Sequence, residues 1–138
     1  MTMKLRRIGE MAFHVKTPSG HDVYLDSGEN VGGKDSAARP MEYVLIALTG
    51  CTSMDVVSIL RKMKVTDYEY YMEVESDQKD EHPKVFTRIN LKYNFIGKNL
   101  PKDKIEKAVE LSQNKYCSVS AMLRESVELT HEINYMEK

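Results

Sequence analysis

The chain has 138 residues, 41% of them hydrophobic and 30% charged, with a formal net charge of −1. That is one domain's worth of sequence, able to bury a core without disulfide staples, so a single domain over residues 1–138 is expected. The near-neutral balance argues against nucleic acid or a membrane surface as a partner held by bulk charge, and no uninterrupted apolar run reaches the roughly 18 residues of a membrane span.

The opening MTMKLRRIGEM carries charge with no apolar run behind it, so it does not read as a signal peptide, and the cytoplasm is the expected compartment. Residues 3–16 mix apolar and polar positions in the manner of a short strand. TPSGHD turns at Pro18 and Gly20, and VYLDS returns as the hairpin partner. GENVGGKDSAARP follows, a Gly-rich polar loop ending at Pro40. Gly28, Gly33 and Lys34 satisfy the first seven positions of a phosphate-loop pattern. The eighth must be Ser or Thr to hold magnesium and is Asp35, so the segment reads as a flexible surface loop.

Pro40 fits the entry of a long helix. Residues 43–51 are apolar nearly all round, which predicts burial on every side. Beyond them Met54, Val57 and Leu60 recur at helical spacing, and Arg61, Lys62 and Lys64 suit the negative end of the helix dipole. Tyr68, Tyr70, Met72 and Val74 then alternate as one face of a strand. After the turn QKDEHPK, Val85, Thr87, Ile89, Leu91, Tyr93 and Phe95 alternate against Phe86, Arg88, Asn90, Lys92 and Asn94. A second helix enters at Pro101 with a stripe of Ile105, Ala108, Val109 and Leu111. A short third helix starts at or just after Cys117, and a strand closes the chain with Val127, Leu129, His131, Ile133 and Tyr135 on one face. The predicted order is ββ–α–ββ–αα–β, an α+β fold. A fully buried helix in so short a chain needs outside cover, which a homodimer with a shared core supplies.

Two cysteines in a reducing compartment are not a disulfide framework; they are core filler, metal ligands or redox groups. Neither belongs to a C-x-x-C pair, there is no H-E-x-x-H, and His14, His21, His82 and His131 are scattered, so a metal site assembled across the fold is the weaker reading. There is no G-x-S-x-G elbow either. Cys51 lies well inside its helix, beyond reach of the N-terminal dipole, with Asp55 one turn on to oppose a thiolate. Residue chemistry alone favours a small buried hydrophobe there. Cys117 precedes a helix whose first-turn amides favour a thiolate. If the two helices pack together, the thiols form a couple in which one attacks and the other resolves.

ARPMEYVLIALTGCTSMDVVSIL, HPKVFTRINLKYNF, KAVELSQNKYCSV and the closing strand together resemble the OsmC/Ohr family, named for osmotically induced protein C and the organic hydroperoxide resistance proteins. The resemblance implies an α+β intertwined homodimer in which antiparallel sheets wrap two central helices. It implies Cys51 as the peroxidatic thiol and Cys117 as the resolving one, at the dimer interface. The reaction would be two-electron reduction of a small, preferably organic, hydroperoxide with an external dithiol as reductant, needing no metal or cofactor. Catalytic members carry a Glu directly after the helix-starting Pro, where this chain has Met41, and an Arg in the preceding loop, where the count falls on Val31. Glu42, Arg39 and Lys34 are the candidates to stand in. The pattern is closest to the OsmC-related branch without the usual Arg and Glu. Two other readings share the scaffold: a protein without peroxidase activity that holds a small apolar ligand in the interface cavity, and a structural dimer whose thiols only pack.

Overall fold

In the computed structural model, which describes residues 1–138, the chain runs β1 (Lys4–Arg7), β2 (Phe13–Lys16), β3 (Asp22–Leu25), α1 (Pro40–Lys62), β4 (Glu69–Gln78), β5 (Phe86–Ile96), α2 (Lys102–Leu111), α3 (Ser118–Arg124) and β6 (Glu128–Met136). A 3-10 turn at Glu29–Val31 precedes α1, and a π turn at Ser112–Tyr116 joins α2 to α3. Residues 1–46 and 47–138 form two units, so the division falls inside α1. The α+β class is as expected: three helices and two three-stranded sheets.

In the first unit β1, β2 and β3 form an antiparallel meander. The sequence led to one strand over 3–16; the chain instead turns back at Gly9, where the Ile8 amide donates to the Ala12 carbonyl at 2.9 Å. Arg7 fastens that turn by donating from Nε to the Gly9 carbonyl at 2.9 Å and from Nη2 to the Glu10 carbonyl at 3.0 Å.

The Gly-rich loop is not the loose segment expected. Asp26, only 3% exposed, accepts backbone N–H bonds from Ser27, Lys34 and Ser36 and the Ser36 hydroxyl at 2.6 Å. One carboxylate thus gathers both ends of the loop. Gly33 passes so close to Ser27 that a Cβ there would stand 2.1 Å from the Ser27 carbonyl oxygen, which reserves the position for glycine. At the helix entry the Arg39 amide donates to Glu42 Oε1 at 2.9 Å, the reach-back half of a capping box with Pro40 in the first helical turn. Tyr43 donates its hydroxyl to the Tyr24 carbonyl at 2.6 Å, fixing the first turn of α1 to β3.

The second unit is built on β5, the central strand of its sheet. Ile89, Leu91, Tyr93 and Phe95 are fully buried along one face. The expected alternation fails at the near end, where Phe86 is buried and Val85 exposed. A bulge is the reason: Arg88 pairs with Asp77 but Phe86 pairs with Gln78, so Thr87 is the extra residue and the faces swap across it. β4 pairs antiparallel with β5, whereas β6 runs parallel to it. The sheet is therefore mixed rather than wholly antiparallel, because α2, the π turn and α3 carry the chain back to the starting end before β6 begins.

Helix α1 offers this unit a single buried line, Leu48, Thr52, Val56 and Leu60, at strict i, i+4 spacing. Burial on every side over 43–51 is not what the single chain shows: Ile46 is 53% exposed, as is most of Met54 further on. By length and composition alone α1 would pass for a membrane span, but it is a core helix of this unit, with Thr52 hydrogen bonded to Tyr93 and Ser112. It ends in a Schellman-type turn, the Val65 amide donating to the Leu60 carbonyl at 2.8 Å with Lys64 at φ 63°.

The Asp26 cluster gives a first prediction. The Ser36 hydroxyl and then the loop amides hold the Asp26 carboxyl at about 2, below its ordinary 3.8. A depressed carboxyl stabilises the fold fully above its unfolded value and loses that contribution as pH falls through its folded one. The 27–36 loop is expected to become susceptible to an acid-tolerant protease as pH drops from about 4 towards 2, and Asp26→Asn to show the same susceptibility at neutral pH. Equal cleavage of wild type and variant at neutral pH would show that Asp26 does not organise the loop.

Candidate functional site

Tyr93, Thr52, Ser112 and Gln113 are buried together in the second unit. Thr52 Oγ1 stands 2.6 Å from Tyr93 Oη and 2.8 Å from Ser112 Oγ. Gln113 Nε2 donates to Tyr93 Oη at 2.8 Å and to Thr52 Oγ1 at 3.2 Å. One knot thus ties helix α1, strand β5 and the π turn. Buried polar groups are tolerated only when paired, and here each pairs with the others. Burial pushes the Tyr93 phenol up to about 12, against the opposing bonds from Thr52 and Gln113. Arg124 of α3 donates from Nη2 to the Gln113 carbonyl at 2.9 Å and to its Oε1 at 3.3 Å, closing the knot from the other side.

This knot presents the thiols. Cys51 precedes Thr52 and Asp55 lies one helical turn beyond Cys51, so the two flank the buried line of α1 on one side. In the π turn the Cys117 amide reaches back five residues to the Ser112 carbonyl at 2.8 Å, and that wider coil delivers Cys117 to α1. Cys51 Sγ, Cys117 Sγ and an Asp55 carboxylate oxygen all lie within 4.8 Å of one another. Both cysteines are free thiols; Cys117 is buried and Cys51 half-buried. Cys117 is the N-cap of α3, its sulfur accepting the Ser120 amide at 3.4 Å. Burial is the main force raising the Cys117 thiol above its ordinary value; Ser120 opposes the rise and the adjacent Cys51 adds to it. The Ser120 hydroxyl is buried beside the sulfur without a well-formed hydrogen bond. Ser112 Oγ donates to Asp55 Oδ2 at 3.0 Å, orienting that carboxylate. Asp55 also borders an open groove of about 400 Å3, lined further by Ser58, Ile59, Lys62, Leu111 and Tyr116.

The sequence candidates divide between the units. Cys51 and Cys117 come together in the second. The proposed stand-ins lie in the first: Arg39 pairs with Asp35 at 2.7 Å and donates to the Ala37 carbonyl, Glu42 caps α1 through the Arg39 amide, and Lys34 is held in the loop by its backbone amide, which donates to Asp26. Asp55 brings an acidic side chain within 4.8 Å of both sulfurs. Thr52, Tyr93, Ser112 and Gln113 escaped the sequence reading. Their only signal is polarity at positions facing a core, Thr52 in the buried line of α1 and Ser112 with Gln113 continuing the α2 stripe.

The sequence pattern of the OsmC-like protein family matches residues 33–132. Protein YhfA of Escherichia coli K12 is 36% identical over 131 residues, covering 95% of each chain. A hypothetical protein of Aquifex aeolicus VF5 superposes with a TM-score of 0.85 at 28% identity, over 99% of this chain and 96% of that one. An organic hydroperoxide resistance protein OsmC of Legionella pneumophila superposes with a TM-score of 0.70 over 97% of each chain; at 18% identity it shows the shared fold alone. The chain belongs to the OsmC-like family.

The knot gives a second prediction. Thr52→Val keeps the shape but removes the hydroxyl that Tyr93, Ser112 and Gln113 share. Stranding buried partners costs about 1–3 kcal/mol, so a lower thermal midpoint and faster alkylation of Cys117 are expected. An unchanged midpoint would mean the knot contributes nothing.

Proposed function

We propose that the protein is a thiol-dependent hydroperoxide reductase that uses Cys51 to attack and Cys117 to resolve. The observation that carries this reading is the meeting of the two sulfurs within 4.8 Å in one chain, although they stand on separate helices. Cys51, the more exposed thiol, is the one a peroxide meets first. Its thiolate attacks the distal oxygen of R–O–O–H; the O–O bond breaks, R–O− takes a proton and leaves as alcohol, and Cys51 becomes a sulfenic acid. The Cys117 thiol then attacks that sulfur, forming the disulfide and expelling water. Forming the S–S bond of roughly 2 Å brings the two sulfurs together from within 4.8 Å. An external dithiol restores both thiols by exchange, itself becoming a disulfide.

The same reading includes a cytoplasmic homodimer. Its support is the apolar surface α1 leaves outside its buried line, with Met54 76% exposed. A second reading is a binder without turnover that holds a small apolar ligand in the dimer-interface cavity; an open apolar groove of about 280 Å3 in the first unit, lined by Leu5, Met11, Phe13 and Leu25, is a separate place that suits such a ligand.

The reduced protein, assayed in the presence of a chelator, is expected to consume cumene hydroperoxide with dithiothreitol as donor. Cys51→Ser should remove turnover, and Cys117→Ser, pre-reduced and freed of dithiothreitol, should consume one equivalent of peroxide per chain and leave Cys51 as a sulfenic acid. Turnover that persists in Cys51→Ser would overturn the peroxidase assignment, and its absence in wild type would leave the binder. A monomer in light scattering would remove the dimer.

A further inference from the structure

The place where the thiols meet holds a third group that a peroxide reaction does not ask for. Asp55 brings a carboxylate oxygen within 4.8 Å of both sulfurs. Two sulfurs and a carboxylate oxygen therefore converge at one place. In the OsmC-like pattern read from the sequence, a loop arginine offsets the thiolate; here Arg39 is already paired with Asp35. Donor atoms so placed suit a cation held among the three.

We propose that the reduced Cys51–Cys117 pair and the Asp55 carboxylate form a three-ligand site for a zinc-type divalent cation, with the fourth coordination position open. The spacing fits. With Zn–S bonds of about 2.3 Å and Zn–O bonds of about 2.0 Å in a tetrahedron, ligand atoms stand roughly 3.5–3.8 Å apart, and the three here lie within 4.8 Å of one another before any ion draws them in. The donor set fits as well: two sulfurs and one carboxylate select zinc over the hard cations magnesium and calcium, which take oxygen alone.

The surroundings have the features of a supporting shell. Ser112 Oγ donates to Asp55 Oδ2 at 3.0 Å, which orients the carboxylate. The Ser120 amide donates to Cys117 Sγ at 3.4 Å, a bond that favours a ligating thiolate. Ser112 is itself held by the buried knot through Thr52, so the site stands on ordered elements. The groove bordered by Asp55 and Tyr116 gives an entry path from solvent. Three protein ligands with an open fourth position is the pattern of reactive rather than purely structural zinc sites.

Zinc binding and oxidation compete for the same sulfurs. Oxidation to the disulfide removes two electrons and two protons from the dithiol and leaves Asp55 as the one ligand. The proposal does not rest on peroxidase activity, since it concerns the reduced protein with no peroxide present.

The test uses the full chain, reduced and freed of metal, titrated with Co2+ and then with Zn2+. One Co2+ per chain is expected, with a near-ultraviolet thiolate-to-cobalt band and the strong visible bands of four-coordination, both removed by one equivalent of Zn2+. Cys51→Ser and Cys117→Ser should each remove most of the thiolate band. Asp55→Asn, which keeps an acceptor for Ser112, should weaken the site by at least about tenfold while leaving the band, in line with what metal sites lose on ligand-shell changes. A measurement free of folding effects uses wild type oxidised with diamide, a diazene that takes the two electrons and two protons: binding should vanish and return on reduction. Failure of the reduced protein to take up stoichiometric Co2+ or Zn2+ overturns the site. So does uptake that survives disulfide formation, or affinity unchanged in Asp55→Asn. The peroxidase reading, assayed with chelator present, stands or falls separately.

Discussion

One hydroxyl carries much of the second unit. Thr52 Oγ1 is shared by Tyr93 on the central strand and by Ser112 and Gln113 in the π turn, so α1, β5 and the α2–α3 connection take their relative positions from it. An apolar contact would hold the same elements together but would let them slide, since hydrophobic burial is proportional to area and has little direction. A buried hydrogen-bonded cluster tolerates one arrangement and makes others expensive. The residues before Thr52 and after Gln113 carry the two cysteines, and the fixed geometry of the knot becomes the fixed approach of their sulfurs.

The chemistry of the site is decided by charge more than by distance. Placing two thiols together lets an oxidant such as a peroxide join them in a disulfide, but which thiol ionises, and what stabilises it, depends on neighbours. Burial raises the Cys117 thiol, and Asp55 contributes an anion on the helix that carries Cys51. A peroxidase needs a positive group to offset that anion; a metal site needs the anion itself. The two readings thus assign opposite values to one carboxylate, and Asp55 is the residue at which they part. Lys62 is the basic residue that lines the same groove as Asp55.

Much of this was legible in the sequence. Pro40, Pro101 and the helical spacing of apolar residues marked the helices, and the alternation over 68–74 and 89–95 marked the central hairpin, because those periods follow directly from backbone geometry. The pairing of Cys51 with Cys117 was foreseeable as a conditional: it required only that the two helices pack. What stayed hidden was non-local or a matter of one residue. The bulge at Thr87 reverses the faces of Phe86 and Val85 without any change of composition. The parallel direction of β6 depends on how far two helices and a turn carry the chain. The Asp26 cluster unites groups up to ten residues apart that read as an unstructured loop. The Thr52 knot joins residues 20 to 61 positions apart, none of which is unusual where it stands. The burial expected all round α1 came from counting apolar residues, which reports what a helix can bury in an assembly and not what one chain covers.

The coil between Ser112 and Tyr116 has a further consequence for how such a chain can diverge. A π turn accommodates one more residue than the α-helix it interrupts, so it acts as a spacer whose length sets the angular position of all that follows. Removing a single residue there would restore regular coiling and swing the following side chain about 100° around the axis, sending the Cys117 sulfur away from its partner while leaving every letter of α3 in place. At its exposed positions, Asn114 to Tyr116, substitutions are cheap and length changes are not. A lineage could therefore lose or regain the thiol encounter by one codon gained or dropped, with both cysteines retained throughout.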